Sequence, residues 1–269
     1  MKIGLATFGL AWGVGVPGFE AAGPPLDHFA FLDAAASMGA EVVEMLDNLP
    51  LTALSPADLD RFEAAAHELR LSVHVGVRTV DPDVLRAFIA LARRFGSPYV
   101  RVMPDFGPQV TRVDEELLVQ HFGPLVRDFA EAGVVLALES HESYPAVTLA
   151  RVVERLGTEN VRACLDTVNS VGRLESPEHV VTTLAPLTID LHLKDFVVRR
   201  LPQQLGFVVE GCPVGEGVVD IPALLRALPA DATVVLEQWP PLGATIGETV
   251  ARERAWAERG LAALKRLRG

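Results

Sequence analysis

The chain has 269 residues, of which 49% are hydrophobic, so it can bury a large core and has no stretch polar enough to predict disorder. Its 24 Lys and Arg residues against 35 Asp and Glu residues give a net charge of −11, which makes DNA an unfavourable partner. No run of about 18 consecutive apolar residues occurs, so no membrane-spanning segment is predicted. Two cysteines without C-x-x-C spacing are too few for a disulfide scaffold and fit a cytoplasmic location.

Short apolar or β-branched runs recur along the whole chain and predict eight β-strands. In chain order they are KIGLATF, EVVEML, LSVHVGV, YVRVMP, VVLALE, VRACLD, IDLHLK and TVVLE. Several segments between them place apolar residues at helical spacing and predict helices over Leu26–Met38, Ala57–Leu69, Asp83–Phe95 and Glu115–Glu131. Strands and helices therefore alternate along the chain.

The predicted helices carry the residues that helices prefer at their ends. Ser55-Pro56 and Asp81-Pro82 place Pro at the first helical position, where its missing N–H costs nothing. Gly96 and Gly133 stand before strands, in the left-handed position that commonly ends a helix. Eight βα units of about 34 residues each predict a single (β/α)8 TIM-barrel domain over residues 1–269. The alternative, an open doubly wound sheet, is disfavoured because no G-x-G-x-x-G sequence follows a strand.

Ligand-type residues lie at the ends of four consecutive predicted strands, the fifth to the eighth. They are Glu139, Asp166, His192 and Glu237. Because barrel strands run parallel, these side chains share one rim, where three carboxylates repel one another unless they are paired or coordinated. One divalent cation would remove the repulsion, and this donor set suits Mn²⁺, Mg²⁺ or Co²⁺, with Zn²⁺ as a further candidate. The alternative is that each acid caps the helix after its strand or pairs with a nearby arginine.

Other polar and aromatic side chains near the strand ends are candidates for substrate contact. Lys194 shares a strand face with His192, and His141 lies two residues after Glu139. The candidates are Lys194, His141, Asn169, Glu44, Arg101, His74 and Trp239. Most also have a structural interpretation. Lys194 could be an ion-pair partner, His141 an exposed loop residue and Trp239 a packing residue. Glu44, His74 and Arg101 could be structural pair partners within the barrel.

Two long connections and the last helix complete the prediction. The connections Gly9–Asp27 and Phe196–Val219 both follow strand ends, where a barrel builds its binding loops. For Gly9–Asp27 an ordinary surface loop is an equal alternative. The final helix, R-E-R-A-W-A-E-R-G-L-A-A-L-K-R-L, is expected to place its charges on one face and its Trp, Leu and Ala on the other.

Five motifs together resemble the xylose-isomerase-like superfamily of TIM barrels. They are E-S-H at 139–141, L-D-T-V-N at 165–169, H-L-K-D at 192–195, P-V-G-E-G-V-V-D at 213–220 and V-L-E at 235–237. The superfamily includes ketose 3-epimerases, hydroxypyruvate isomerases, keto-inositol dehydratases and endonuclease IV. The resemblance implies that the four strand-end residues are the metal ligands and that Glu139 and Glu237 also move the proton. The epimerases have a histidine where this chain has Asn169, a poor metal ligand, so one metal ion is expected rather than two.

The resemblance implies a divalent-metal-dependent isomerase or epimerase that acts on a small keto sugar or hydroxy-ketone. Removing a proton next to a carbonyl creates an enediolate, whose charge the metal and Lys194 would stabilise. Alternatives are a dehydratase or lyase on a keto-inositol or sugar acid, and a non-catalytic sugar-binding barrel. An AP endonuclease is disfavoured because four of the seven histidines lie in predicted helices. The expected partner is a small carbohydrate, with neither nucleic acid nor membrane, and the sequence leaves homo-oligomerisation open.

Overall fold

The computed structural model describes residues 1–110 and 112–268 and contains ten strands in this part of the chain. They are β1 (Lys2–Ala6), β2 (Val42–Met45), β3 (Ser72–Arg78), β4 (Tyr99–Met103), β5 (Val135–Glu139), β6 (Val161–Asp166), β7 (Thr188–Leu193), β8 (Asp195–Arg200), β9 (Phe207–Cys212) and β10 (Thr233–Leu236). Eight of them close a parallel barrel in the order β1-β10-β7-β6-β5-β4-β3-β2. The predicted (β/α)8 barrel is therefore confirmed.

Ten α-helices in the described residues surround the barrel or cover its ends. They are α1 (Ala11–Val14), α2 (His28–Ser37), α3 (Pro56–Glu68), α4 (Pro82–Phe95), α5 (Glu115–Phe122), α6 (Val126–Ala132), α7 (Ala146–Leu156), α8 (Pro177–Leu184), α9 (Ile221–Ala227) and α10 (Ile246–Arg268). None of these helices combines the length and apolarity needed to cross a membrane.

Local sequence explains where several helices begin and end. The side chains of Ser55 and Asp81 accept hydrogen bonds from the first backbone N–H groups of α3 and α4, each of which has Pro at its start. Gly96 and Gly133 end α4 and α6 with φ of 67° and 65°, the left-handed conformation that glycine adopts without strain. The predicted boundaries at these four positions are confirmed.

Three predicted elements differ from the structure. The single helix expected over Glu115–Glu131 is two helices separated by the 3₁₀ turn Gly123–Leu125, because Pro124 cannot donate a hydrogen bond within a continuous helix. The connection Phe196–Val219 is not a plain loop, since β8 and β9 form an antiparallel hairpin. The last helix begins at Ile246, and its charges do not all lie on one exposed face because Glu253 is fully buried.

Asp195 fixes the loop that follows this hairpin. Its buried carboxylate accepts hydrogen bonds from the backbone N–H groups of Gly215 and Gly217, at 2.9 Å each, and of Val219, at 3.2 Å. A Cβ atom at Gly217 would overlap the carboxylate of Asp195. The close approach of this loop to Asp195 therefore requires Gly217, and Gly215 adopts a φ of 89°, which favours glycine.

We expect Asp195→Ala and Gly217→Ala each to lower the free energy of unfolding by about 2–4 kcal/mol, because each change leaves buried N–H groups unpaired or forces the loop away. Denaturant unfolding measures the effect. Glu216→Ala is the matched control, since Glu216 lies in the same loop but is exposed and pairs only with Arg259. Equal stability of Asp195→Ala and the control would show that the loop is held by other contacts.

Candidate active site

A cavity of about 370 Å³ opens where the barrel strands end. Its lining residues come from every one of the eight barrel strands or from the segment that follows it, which is where TIM barrels place their active sites. They are Phe8, Ala11, Asp47, Arg78, Arg101, Met103, Glu139, His141, Val168, Asn169, Lys194, Glu237, Gln238 and Trp239. Seven of the eleven predicted site residues line the cavity, and the other four lie at or below its floor.

Lys194 joins two of the predicted ligands at the cavity floor. Its Nζ lies 2.5 Å from Oδ2 of Asp166 and 2.9 Å from Oε2 of Glu237. Burial lowers the pKa of Lys194, but the surrounding carboxylates, Asp166 first, raise it above its ordinary value, so the amine is an ammonium ion. The expected ion pair of Lys194 is thus present, and the same ammonium also faces the cavity.

Asp166 is held by its own strand end as well. Its Oδ1 accepts hydrogen bonds of 2.8 Å from the backbone N–H groups of Val168 and Asn169, which open a 3₁₀ turn. Burial raises the pKa of this carboxyl, Lys194 lowers it, and the nearby carboxylates of Glu139 and Glu237 raise it further, with a net increase. The capping role considered in the sequence analysis is therefore present at this position.

Glu139 is paired with an arginine inside the barrel. Its Oε2 lies 2.5 Å from Nη2 of Arg101, and its Oε1 accepts a hydrogen bond of 3.0 Å from Nδ2 of Asn169. Burial alone would raise the pKa of Glu139, but Arg101, His192 and Lys194 hold it well below its usual range. The Glu139 carboxylate is consequently ionised and fixed in place.

His192 separates an upper from a lower group of acids. Its Nδ1 faces Oε1 of Glu237 at 3.3 Å and Oε1 of Glu139 at 3.6 Å. Its Nε2 lies 2.7 Å from Oε2 of Glu44 and 3.3 Å from Oδ2 of Asp190. Burial lowers the pKa of the imidazole, but the negative groups around it raise the pKa well above its ordinary value.

The lower group closes the barrel beneath the cavity. Tyr99 donates a hydrogen bond of 2.8 Å to Oδ1 of Asp190, and Nδ1 of His74 lies 2.9 Å from the same hydroxyl. Burial lowers the pKa of His74 to about 4, so this imidazole is neutral. Burial and the nearby Asp190 raise the pKa of Glu44 to about 8.

The positions of Glu44 and His74 favour the structural one of their two predicted roles. Their exposed fractions are 0% and 3%, and neither lines the cavity. The sequence predicts two roles for each, substrate contact or pairing within the barrel, because both lie on strands that end at the same rim. The structure places them one layer deeper, where they contact His192 and Tyr99 instead.

The remaining candidates lie at the wall of the cavity. His141 is at the mouth, where its Nδ1 is 2.9 Å from Oε2 of Glu142. Trp239 lines the cavity and also packs on the hydrophobic core, and its backbone carbonyl leaves no space for a Cβ atom at Gly211. Both residues therefore make a structural contact and also line the cavity.

The structure brings into the site several residues that the sequence analysis missed. They are Asp47, Arg78, Tyr99, Asp190 and Gln238. Asp190 could have been found, because the two-residue period of a strand places it on the same face as His192. Tyr99 carries no such signal, since an apolar strand position is the ordinary place for an aromatic ring.

The donor atoms present fit a divalent metal ion. One ligand atom each from Glu139, Asp166 and His192 lie within 4.8 Å of one another. In addition, His192 Nδ1 and Glu237 Oε1 are buried without a hydrogen-bond partner among the described residues. Unpaired buried acceptors are costly, and a cation between them would remove that cost. A second group, Cys164, Asp190 and His192, could also hold a metal and lies on the other side of the imidazole.

A family model described as xylose isomerase-like TIM barrel matches residues 32–267. The chain belongs to this family. It is 30% identical over 266 residues to the 3-oxo-isoapionate decarboxylase of Pectobacterium atrosepticum, a match that covers 97% of this chain and 94% of that protein. The family resemblance seen in the five sequence motifs is confirmed.

Solved structures share the fold at lower identity. A xylose isomerase-like TIM barrel protein from Mycobacterium smegmatis, crystallised in complex with magnesium, superposes with a TM-score of 0.70 at 16% identity and covers 97% of both chains. A D-psicose 3-epimerase crystallised in the presence of D-fructose has a TM-score of 0.70 at 15% identity and covers 99% of both chains.

We expect Mn²⁺ to raise the midpoint of thermal unfolding by about 5 °C at about one hundred times its Kd, because it binds the folded state only. Asp166→Ala and His192→Ala should abolish both this shift and the bound manganese measured by elemental analysis. His179→Ala is the control, since His179 is an exposed histidine on α8. Equal manganese content in Asp166→Ala, His192→Ala and the parent would place the metal elsewhere.

Proposed function

We propose that the chain is a sugar-modifying enzyme that removes CO₂ from a small polyhydroxylated 3-oxo acid through an enediolate. The observation that carries the proposal is the buried ammonium of Lys194 at the floor of the cavity, 2.5 Å from Asp166 and 2.9 Å from Glu237. Support comes from the near full-length relative, which is a decarboxylase of a 3-oxo sugar acid.

The chemistry requires a site that stabilises negative charge. In a 3-oxo acid the bond between the carboxylate carbon and C2 breaks, and CO₂ leaves. The electron pair moves into the C2–C3 bond while negative charge develops on the oxygen at C3. A proton then adds to C2, so atoms and electrons balance without an oxidant or reductant. Fixed positive groups beside the developing oxyanion lower the barrier.

The residues at the floor of the cavity have different roles in the proposed reaction. Lys194 keeps its proton because the acids around it raise its pKa, so it supplies positive charge rather than a proton. Glu139 is held ionised by Arg101 and cannot supply the proton either. Glu237 also lines the cavity, and we assign it the return of the proton to C2.

A divalent metal is part of this proposal. Glu139, Asp166, His192 and Glu237 would hold it, with Mn²⁺, Mg²⁺, Co²⁺ or Zn²⁺ as candidates. When bound, it would supply Lewis-acid charge to the substrate oxygens. Lys194, Arg101, Asn169, His141 and Trp239 would bind and orient the substrate from the floor and walls of the cavity.

Isomerisation or epimerisation of a keto sugar is the second candidate. It passes through the same enediolate but needs a base and an acid, and Glu139 and Glu237 both line the cavity. Dehydration of a keto-inositol or sugar acid would use the same intermediate. The cytoplasmic location and the oligomeric state stay predictions.

Mass spectrometry of the product distinguishes these reactions. We expect the Mn²⁺-loaded protein to convert a 3-oxo sugar acid into a ketone lighter by one CO₂, with one deuterium at C2 when the reaction is run in D₂O. A control without protein corrects for spontaneous loss of CO₂. A product of unchanged mass would establish the isomerase alternative, and loss of water would establish the dehydratase alternative.

Replacing Lys194 or Glu237 should slow this reaction for different reasons. Lys194→Met removes the charge that stabilises the oxyanion, and Glu237→Gln removes the proton donor, so we expect each to lower kcat by about 10²–10⁴. Because Glu237 is a predicted ligand and Lys194 lies against two predicted ligands, manganese content is measured in every variant. Glu154→Gln on the exposed surface of α7 is the control. A metal-loaded Glu237→Gln protein with the parental rate would assign protonation to another group.

A further inference from the structure

Glu253 is a buried carboxylate that lies outside the cluster of predicted ligands. It is on α10, is 0% exposed, and its two oxygens accept hydrogen bonds of 3.0 Å from the backbone N–H groups of Trp12 and Gly13. Among the described residues no lysine, arginine or histidine forms an ion pair with it. Burial raises its pKa to about 7, against the lowering by the backbone N–H groups. The carboxylate is therefore held by backbone dipoles alone.

Gln238 ties the same segment to the barrel from the other side. Its Nε2 donates hydrogen bonds to the carbonyl oxygen of Gly9, at 2.9 Å, and to the backbone carbonyl oxygen of Glu253, at 2.6 Å. Gln238 lines the cavity and directly follows Glu237. The segment Thr7–Val14 is thus fastened at three backbone positions to the last strand end and the last helix.

Thr7–Val14 forms an apolar wall of the cavity. Phe8 and Ala11 line the cavity, and the segment carries no titratable side chain. A Cβ atom at Gly9 would lie 2.8 Å from the carbonyl oxygen of Leu236, so the backbone approaches the barrel too closely for any side chain there. The wall is consequently close-packed against the end of the barrel at Gly9.

A buried carboxylate without a counter-ion is an expensive way to fill space, and an apolar side chain would pack at lower cost. The carboxylate does what an apolar side chain cannot do: its two oxygens fix the positions of two successive N–H groups at the start of α1. This arrangement therefore fixes the position of the wall segment Thr7–Val14.

We propose that Glu253 is a positioning residue of the cavity, which together with Gln238 fixes Thr7–Val14 so that Phe8 and Ala11 press the C–H face of a sugar-like substrate toward Lys194. This inference rests on the proposed function of the cavity as the substrate site. Glu253 lies outside the cluster of predicted ligands, and its effect would reach the substrate through the backbone of α1.

The substitution Glu253→Gln tests the inference. Its amide replaces one acceptor oxygen by a donor that faces an N–H group, so the wall is released while the floor is unchanged. We expect KM to rise on the order of 10-fold with kcat changed by less than about 3-fold, since one lost charged hydrogen bond corresponds to such a factor. Hydrogen exchange at the Trp12 and Gly13 amides should accelerate on the order of 10-fold.

Glu258→Gln is the matched control, because Glu258 lies on the same helix but is exposed and pairs with Arg254 on the surface of that helix. An active Glu253→Gln protein with parental KM would overturn the inference, as would unchanged exchange of the two amides. If Glu253→Gln does not fold, Gln238→Leu carries the same two measurements. Loss of folding in both variants would also overturn it, since the contacts would then serve the fold alone.

The two measurements separate this inference from the proposed function. Amide exchange needs no substrate, so faster exchange in Glu253→Gln would establish the fixing of the wall even if the parent released no CO₂ from any 3-oxo acid. Activity of the parent with unchanged KM and unchanged exchange in Glu253→Gln would leave the decarboxylase proposal in place and remove only the role of Glu253.

Discussion

The need to neutralise buried negative charge at the carboxyl-terminal end of the barrel governs the rest of the site. Five buried acids surround a single imidazole there: Glu44, Glu139, Asp166, Asp190 and Glu237. Breaking a buried charge pair costs several kcal/mol, so each carboxylate must have a cation, a donor or a proton. Arg101, Lys194 and His192 meet part of this requirement, and a divalent ion would meet the rest. Charges that hold the site together are thus the same charges that face a substrate.

The imidazole of His192 connects two layers that have different tasks. Below it, Glu44 and Asp190 contact Nε2, and Tyr99 holds Asp190 by a hydrogen bond, in a part of the barrel closed to the cavity. Above it, Nδ1 faces the acids that border the cavity. Because a hydrogen bond to one ring nitrogen sets the orientation of the ring, the lower layer decides where the upper donor atom points. The rigid, fully buried layer therefore acts on chemistry that takes place one layer away.

The sequence predicts the barrel and the strand on which each polar residue lies. It does not predict the height of each residue along the barrel axis. Alternating strands and helices specify eight parallel strands, and the period of two specifies which side chains point inward. Barrel strands are staggered, however, so equal distances from a strand end correspond to different heights along the axis. Glu44 pairs in register with His74, and both lie beneath His192 for this reason. The burial of Glu253 is not predicted for another reason. It results from the packing of α1 against α10, which the sequence of α10 does not show.

The electrostatics of the floor are better matched to decarboxylation than to isomerisation. Isomerisation begins with removal of a proton from carbon, which needs a base of substantial proton affinity. Glu139 is a weak base, because Arg101 and the neighbouring cations hold its pKa well below its usual range. Loss of CO₂ begins with breakage of a carbon–carbon bond and needs no base, only positive charge to receive the electron pair. In the proposed reaction, Lys194 would supply that charge throughout, because the surrounding acids raise its pKa and it retains its proton. In the proposed reaction, the charge states of Glu139 and Lys194 would therefore favour loss of CO₂ over proton removal.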